Sequence, residues 1–300
     1  MTQNNTPTPN EPPTPKENPG KQTSVSVPPP KESGRKRRNI RKWVLRLSLA
    51  LTILGPLIFI VAAIGHKIGL FSLGFSFGTL TRGLGPNVLM AGLIVSILAL
   101  ILAIIVKPKK GFAVAIIGIL VPALGMGYAV QVKNKAQRLP FIHDITTDTQ
   151  NVPQFGAEIM AERAETEGVN TTDYAGKMAR SQDAQGNPTE SLVSVLQTRG
   201  YPDIRSIVVS DEKDAAFAKA ESLARQMGWK IKATNPEAGT IEATDTTFWY
   251  GFKDDVIIRL RNSEGGGTLV DIRSISRIGG SDLGKNAERV HEFLDRMKEA

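Results

Sequence analysis

Three clusters of residues in the C-terminal half carry side chains with useful chemistry. His143, Asp144 and Asp148 set an imidazole beside carboxylates, where the histidine can act as a base at neutral pH. The competing reading is an arm whose side chains bond to backbone and tie it to a sheet. Asp245, Asp254 and Asp255 flank Phe248-Trp249-Tyr250. Carboxylates so spaced suit a hard cation held through oxygen, or a ligand beside Trp249. Asp is equally common around turns for local hydrogen-bonding reasons, which would leave the aromatics as a core and rim cluster. Arg259, Arg273 and Arg277 alternate onto one face of two consecutive predicted strands, where guanidinium groups can grip a phosphate or carboxylate by forked hydrogen bonds. Glu242 and Asp271 share that face and can instead neutralise them as cross-strand pairs on a solvated surface. A fourth pattern, Gly74-Phe75-Ser76-Phe77-Gly78, formally matches a Gly-x-Ser-x-Gly nucleophile elbow. It lacks the preceding strand, following helix and partner residues that an elbow needs, so no catalysis is expected of Ser76.

Composition narrows the chemistry. The absence of cysteine removes disulfides, thiolate zinc sites and cysteine nucleophiles together. Three histidines are too few for a multi-histidine metal site, and no phosphate-cradling loop or dinucleotide fingerprint occurs in a suitable context. Neither metal nor cofactor is expected. The formal net charge of +8 divides unevenly: residues 1–132 hold 15 Lys+Arg against 3 Asp+Glu, and residues 133–300 hold 22 against 26. The mildly acidic second half lacks the electrostatic footprint of a nucleic-acid binder, so no nucleic acid is expected as a partner.

What positions these residues begins with lipid. Residues 1–42 are expected to form a disordered tail, since nine of the eighteen prolines fall between Pro7 and Pro30 and little apolar surface offsets the entropy of ordering. The tail ends in a basic cluster, Arg35, Lys36, Arg37, Arg38, Arg41 and Lys42. Within residues 43–132 come three apolar runs, Trp43–Ile64, Val88–Val106 and Phe112–Val130. About 20 apolar residues cross a bilayer core as a helix, so three spans are predicted and the lipid bilayer is the first partner. Residues 65–86 read as a glycine-rich interfacial loop holding only Lys67 and Arg82, against six basic residues before the first run and three in the turn 107–110. The positive-inside rule then expects a multi-pass inner-membrane protein with a cytoplasmic N-terminus and everything after Val130 in the periplasm.

After a linker at 131–139, residues 133–300 are read as an extracytoplasmic α+β domain. An antiparallel sheet of about five strands carries two helices on one face, in the order β-α-β-β-β-β-α. Ile204–Val209 opens the series, and a helix capped by Ser210 carries Phe217, Ala220, Leu223, Ala224 and Met227 at helical spacing. The hairpin Trp229–Thr234 with Gly239–Thr247 follows, then Val256–Arg261 and Thr268–Arg277 across Gly265-Gly266-Gly267. Ser281-Asp282 caps a closing helix with the stripe Leu283, Ala287, Val290, Leu294 and Met297. Alternation turns Val256, Ile258, Leu260, Val270 and Ile272 toward the helices. Residues 156–190, poor in apolar positions, find no clear place in this scheme.

Several strings carry a family likeness: Pro140–Asp148 (PFIHDITTD), Tyr201-Pro202-Asp203-Ile204, Met227-Gly228-Trp229, Ile241–Asp255 (IEATDTTFWYGFKDD) and Val270–Gly284 (VDIRSISRIGGSDLG). Over roughly residues 139–298 the chain resembles the domain-of-unknown-function 1499 family of bacterial proteins, whose members often join a few membrane spans to such a domain. The resemblance brings no catalytic residues. The expected role is a non-catalytic, membrane-anchored ligand-binding or protein-interaction module, with anionic envelope components as the favoured ligand. The rivals are an envelope hydrolase using His143 and a nearby carboxylate, and a scaffold subunit whose Gly118, Gly125 and Gly127 admit a membrane protein partner.

Overall fold

Long runs of apolar side chains leave the first third of the chain no way to fold except as helices side by side. The computed structural model describes residues 1–2, 32–183 and 185–299, and the Pro7–Pro30 stretch lies outside the described residues. Helix α1 spans Glu32–Lys67, α2 Gly85–Ile105 and α3 Phe112–Arg138, and each belongs to a segment long and apolar enough to cross a membrane. Two expectations change. The basic cluster rides on α1, and the predicted linker is mostly the continuation of α3 to Arg138. The 65–86 stretch is not an open loop either, because Gly74–Leu84 winds as a π-helical segment running directly into α2.

The three helices meet where their side chains are smallest. The hydroxyls of Ser48 and Ser96 lie 2.7 Å apart in the interior. A Cβ on Gly118 would stand 2.6 Å from one and 2.3 Å from the other, so only glycine fits there. Gly125 faces the tip of Leu89, which a Cβ would meet less tightly at 3.1 Å, while a side chain at Gly127 would meet open space. Two of the three glycines offered as a partner surface are therefore used inside the bundle. Ile94, Ile101, Ile116 and Leu124 point outward and are exposed, so the bundle carries an apolar outer surface.

In the C-terminal half the period-two pattern builds the sheet. Strands β1 (Asp144–Thr146), β4 (Ile207–Val209), β5 (Lys230–Asn235), β6 (Thr240–Thr246), β7 (Lys253–Asn262) and β8 (Thr268–Ser276) form one sheet, all of whose pairs are antiparallel. Its order is β5-β6-β7-β8, with β1 and β4 sharing the free edge of β8. A separate hairpin pairs β2 (Met178–Gln182) with β3 (Pro188–Leu192). Helices α5 (Val193–Gly200), α6 (Lys213–Gln226) and α7 (Lys285–Glu299) supply one apolar core, where Val256, Ile258, Leu260, Val270 and Ile272 meet Phe217, Val290, Phe293 and Met297. One predicted cap shifts: helix α6 begins after Glu212 rather than Ser210. Of the pair Ser281-Asp282, it is Asp282 that accepts the Asn286 N–H, at 2.7 Å, at the start of α7. Leu283 lies before α7 with φ at 56°, outside the stripe.

The main correction concerns the opposite face. It is not solvated. Helix α4 (Ala157–Ala164), with the segments around it, covers this face, and Ile159, Ile257, Asp271, Arg273 and Ile275 are all fully buried. Residues 156–190 thus belong to the packed domain.

Candidate functional site

The arginines of the covered face are held by acids on the same or adjoining elements. Arg273 Nε and Nη2 donate to Asp144 Oδ1 and Oδ2 at 3.0 and 2.8 Å, a forked pair shut off from water. Its remaining N–H groups reach the carbonyls of Pro153 and Thr172, and the Phe155 and Tyr174 rings stand 5.5 and 5.8 Å from the guanidinium carbon. Burial raises the Tyr174 phenol, with Asp144 adding to it. Arg277 Nε donates to Asp255 Oδ2 at 2.9 Å and its Nη2 to Glu162 Oε2 at 2.8 Å, while Arg163 from α4 donates to Asp255 at 2.6 Å. Hydrogen bonds from Lys232 first, then Arg277, hold the Glu162 carboxyl down to about 2. At the sheet's other end Arg259 and Arg261 both donate to Asp271, and Arg259 also reaches Asp148 at 3.1 Å. The cross-strand pairing expected of Asp271 with Arg259 is present, on a buried face. Glu242 instead turns its carboxylate to the Gly156 N–H at 3.0 Å, and burial raises its pKa.

The three aspartates considered for a cation do not converge. Neighbours on a strand point to opposite faces, so Asp255 joins Arg277 and Arg163 while Asp254 turns toward α7. There Arg289 Nη2 donates to Asp254 at 2.8 Å and to Asp245 at 2.5 Å, and its Nη1 reaches Ser274 and Asn286. Burial opposes the charge of Arg289, but Asp254 and Asp245 outweigh it and raise its pKa.

His143 is a poor base in this setting. Lys177 Nζ donates to its Nε2 at 3.0 Å, and its Nδ1 donates to the Gly280 carbonyl at 3.3 Å. Both ring nitrogens are engaged in the neutral tautomer. Burial, then the Lys177 charge, lowers its pKa. Asp144, its neighbour in sequence, faces Arg273 instead. The geometry matches the reading of a tied arm. Ser76 is buried without a hydrogen-bond partner inside the π-helical segment, with neither the strand nor the turn of an elbow.

The aromatic group of the β6–β7 loop points elsewhere. Tyr250 and Phe252 stack on each other and pack edge-on against Phe77, and the Tyr250 hydroxyl meets Thr81. Lys67, the last residue of α1, donates to the Phe248 carbonyl at 2.7 Å. The domain thus touches the helical bundle through this loop, and again where Lys135 of α3 meets Glu288 of α7 at 2.7 Å. Beside that second contact opens a cleft of about 330 Å³, lined by Met227, Trp229, Lys285, Arg289, Glu292 and Arg296.

Sequence reasoning missed Arg163 and Arg289, and with them the cleft residues Trp229, Lys285, Glu292 and Arg296. Arg289 left a trace: it falls four residues before Phe293 and three after Asn286, on the buried stripe of α7. Arg163 left none, because α4 is short and Ile159 and Met160 are its only large apolar side chains.

Residues 144–297, just over half of the chain, match the family described as Protein of unknown function (DUF1499), and the chain belongs to that family. The matched region includes residues 156–190, in keeping with their place in the fold. Among curated proteins, none matches the chain.

Proposed function

We propose, with membership of the DUF1499 family as the premise, that this is an inner-membrane protein whose C-terminal domain is a non-catalytic binding module on the periplasmic side. Its ligand is a small charged headgroup held in the cleft between the ends of α6 and α7. One observation carries this reading. The cleft's lining includes Glu288, which Lys135 at the end of the third membrane helix holds by an ion pair, so the cleft opens beside the bundle. Trp229 and Met227 offer an apolar floor, and Lys285, Arg296 and Glu292 bring both signs of charge to the rim. The rest of the lining is polar or charged, so the cleft suits the charged end of an amphiphile, with Met227 and Trp229 as its apolar exceptions. An anion on the sheet's arginine face has less support, because those guanidinium groups already hold carboxylates. Hydrolysis through His143 has less support for the same kind of reason. The periplasmic placement rests on the basic flanks of the spans.

Two measurements test the proposal. Native mass spectrometry of the chain lifted from its own membrane is expected to retain a charged amphiphile, and Arg296→Glu to lose it. A chain that carries none, or an R296E variant that keeps it, ends the binding reading. For sidedness, the cysteine-free sequence allows Asp295→Cys on the exposed side of α7 as a single reporter. It should react with a membrane-impermeant maleimide in intact spheroplasts, and labelling only after lysis would reverse the orientation.

A further inference from the structure

The tip of the β6–β7 loop holds two large side chains that the fold does not cover. Phe248 is 74% exposed and Trp249 56% exposed, their rings edge to face at 5.3 Å. The loop that carries them is seated on the end of the helical bundle. The Lys67 ammonium stands 4.8 Å from the Phe248 ring centroid and donates to the Phe248 carbonyl. Gly251 packs against Lys67, and Tyr250 and Phe252 sit against His66 and Phe77. On the helix side of this contact Ile64, Ile68 and Leu70 are exposed as well, so an apolar rim runs near the loop tip.

Depth follows from helix geometry. From Trp43 to Ile64 the first helix rises about 33 Å at 1.5 Å per residue, close to the thickness of the hydrocarbon core, about 30 Å. Lys67 comes one turn after that apolar run ends, at the level of the headgroups. A loop bonded to Lys67 shares this level. There an indole finds both apolar contact and a wet, polar edge, which is why Trp and Tyr gather at membrane interfaces.

We infer that Phe248 and Trp249 insert into the headgroup layer of the bilayer that holds α1–α3, so that the soluble domain grips the membrane surface by a loop of its own. The occupant of this apolar tip is lipid. A second copy or a protein partner is the competing outcome.

The test uses the full-length chain in phosphatidylcholine–phosphatidylglycerol vesicles. A Trp43→Phe background removes the indole at the other end of α1, and Trp229 remains as an internal constant, buried and stacked on Phe293. Phospholipid carrying a nitroxide near the headgroup should quench a blue-shifted component of the emission. Adding Trp249→Phe should abolish that component, and an exposed tryptophan-to-phenylalanine change leaves the fold intact. Quenching of Trp249 by aqueous iodide but not by the nitroxide lipid overturns the inference. Protection from both quenchers overturns it too, and assigns the tip to a protein surface.

Discussion

On the face bearing α6 and α7 the sheet meets Phe217, Val290, Phe293 and Met297, whereas on the face bearing α4 it presents Arg273 and Arg277 to buried carboxylates. Water is excluded from both. The first face gains stability roughly in proportion to the apolar area removed from solvent, and no single contact is obligatory. The second works by matching. Each buried cation needs its anion, and an unmatched charge costs more than the pair contributes. The comparison separates amount of burial from specificity of burial within one small domain.

Breaking one partner on the charged face should have one of the two largest effects, and the one that a partner change can rescue. Arg273→Ala leaves Asp144 buried without its fork, and a loss of about 3–5 kcal/mol is expected. Denaturant titration of the detergent-solubilised chain, followed through the near-ultraviolet signal of Trp229, measures it. Replacing both partners, Arg273→Met with Asp144→Leu, should recover most of that loss. If the double variant is as unstable as the single one, the face is not held by matching. On the apolar face Phe293→Ala is expected to cost about 3–5 kcal/mol through lost transfer energy and a cavity, with no rescuing partner change.

A smaller effect comes from acid. Because the folded-state value of Glu162 lies near 2 instead of the ordinary 4.5, its contribution is complete above pH 4.5 and fades as pH falls toward 2. Amide protection in α4, taken relative to the intrinsic exchange rate at each pH, should therefore fall in that window before protection in α6 does, and Glu162→Gln should flatten the difference. The smallest effect is expected at the exposed Lys135–Glu288 pair, where Lys135→Ala should change stability by less than about 1 kcal/mol. Its signature would be looser contact between domain and bundle, seen as faster exchange at the start of α7.

The same contrast explains what the sequence disclosed. Ile258 and Leu260 alternate with Arg259 and Arg261, so strand, face and helix cover could be read from spacing, and the spans followed from length and apolarity. Arginine alternation carries the same periodicity, but polarity is ordinarily a sign of solvent, so the face was read as open. Its cover was hidden for a related reason: α4 brings one buried isoleucine and one buried arginine, too little apolar signal to announce a helix with a partner. At the site, period two already separates Asp254 from Asp255. Which arginine each would find depended on α4 and α7, whose approach no local pattern encodes.

The domain is joined to the bundle covalently through α3 and again through Tyr250 at Thr81 and Lys67 at the loop backbone. One joint would leave a body free to swivel, while two remove most of that rotation. A domain fixed in this way keeps one side turned toward the end of the three apolar helices. Tyr250→Ala would loosen the second joint without touching a single residue of the cleft, while Lys67 at the loop backbone and Lys135 at Glu288 remain in place.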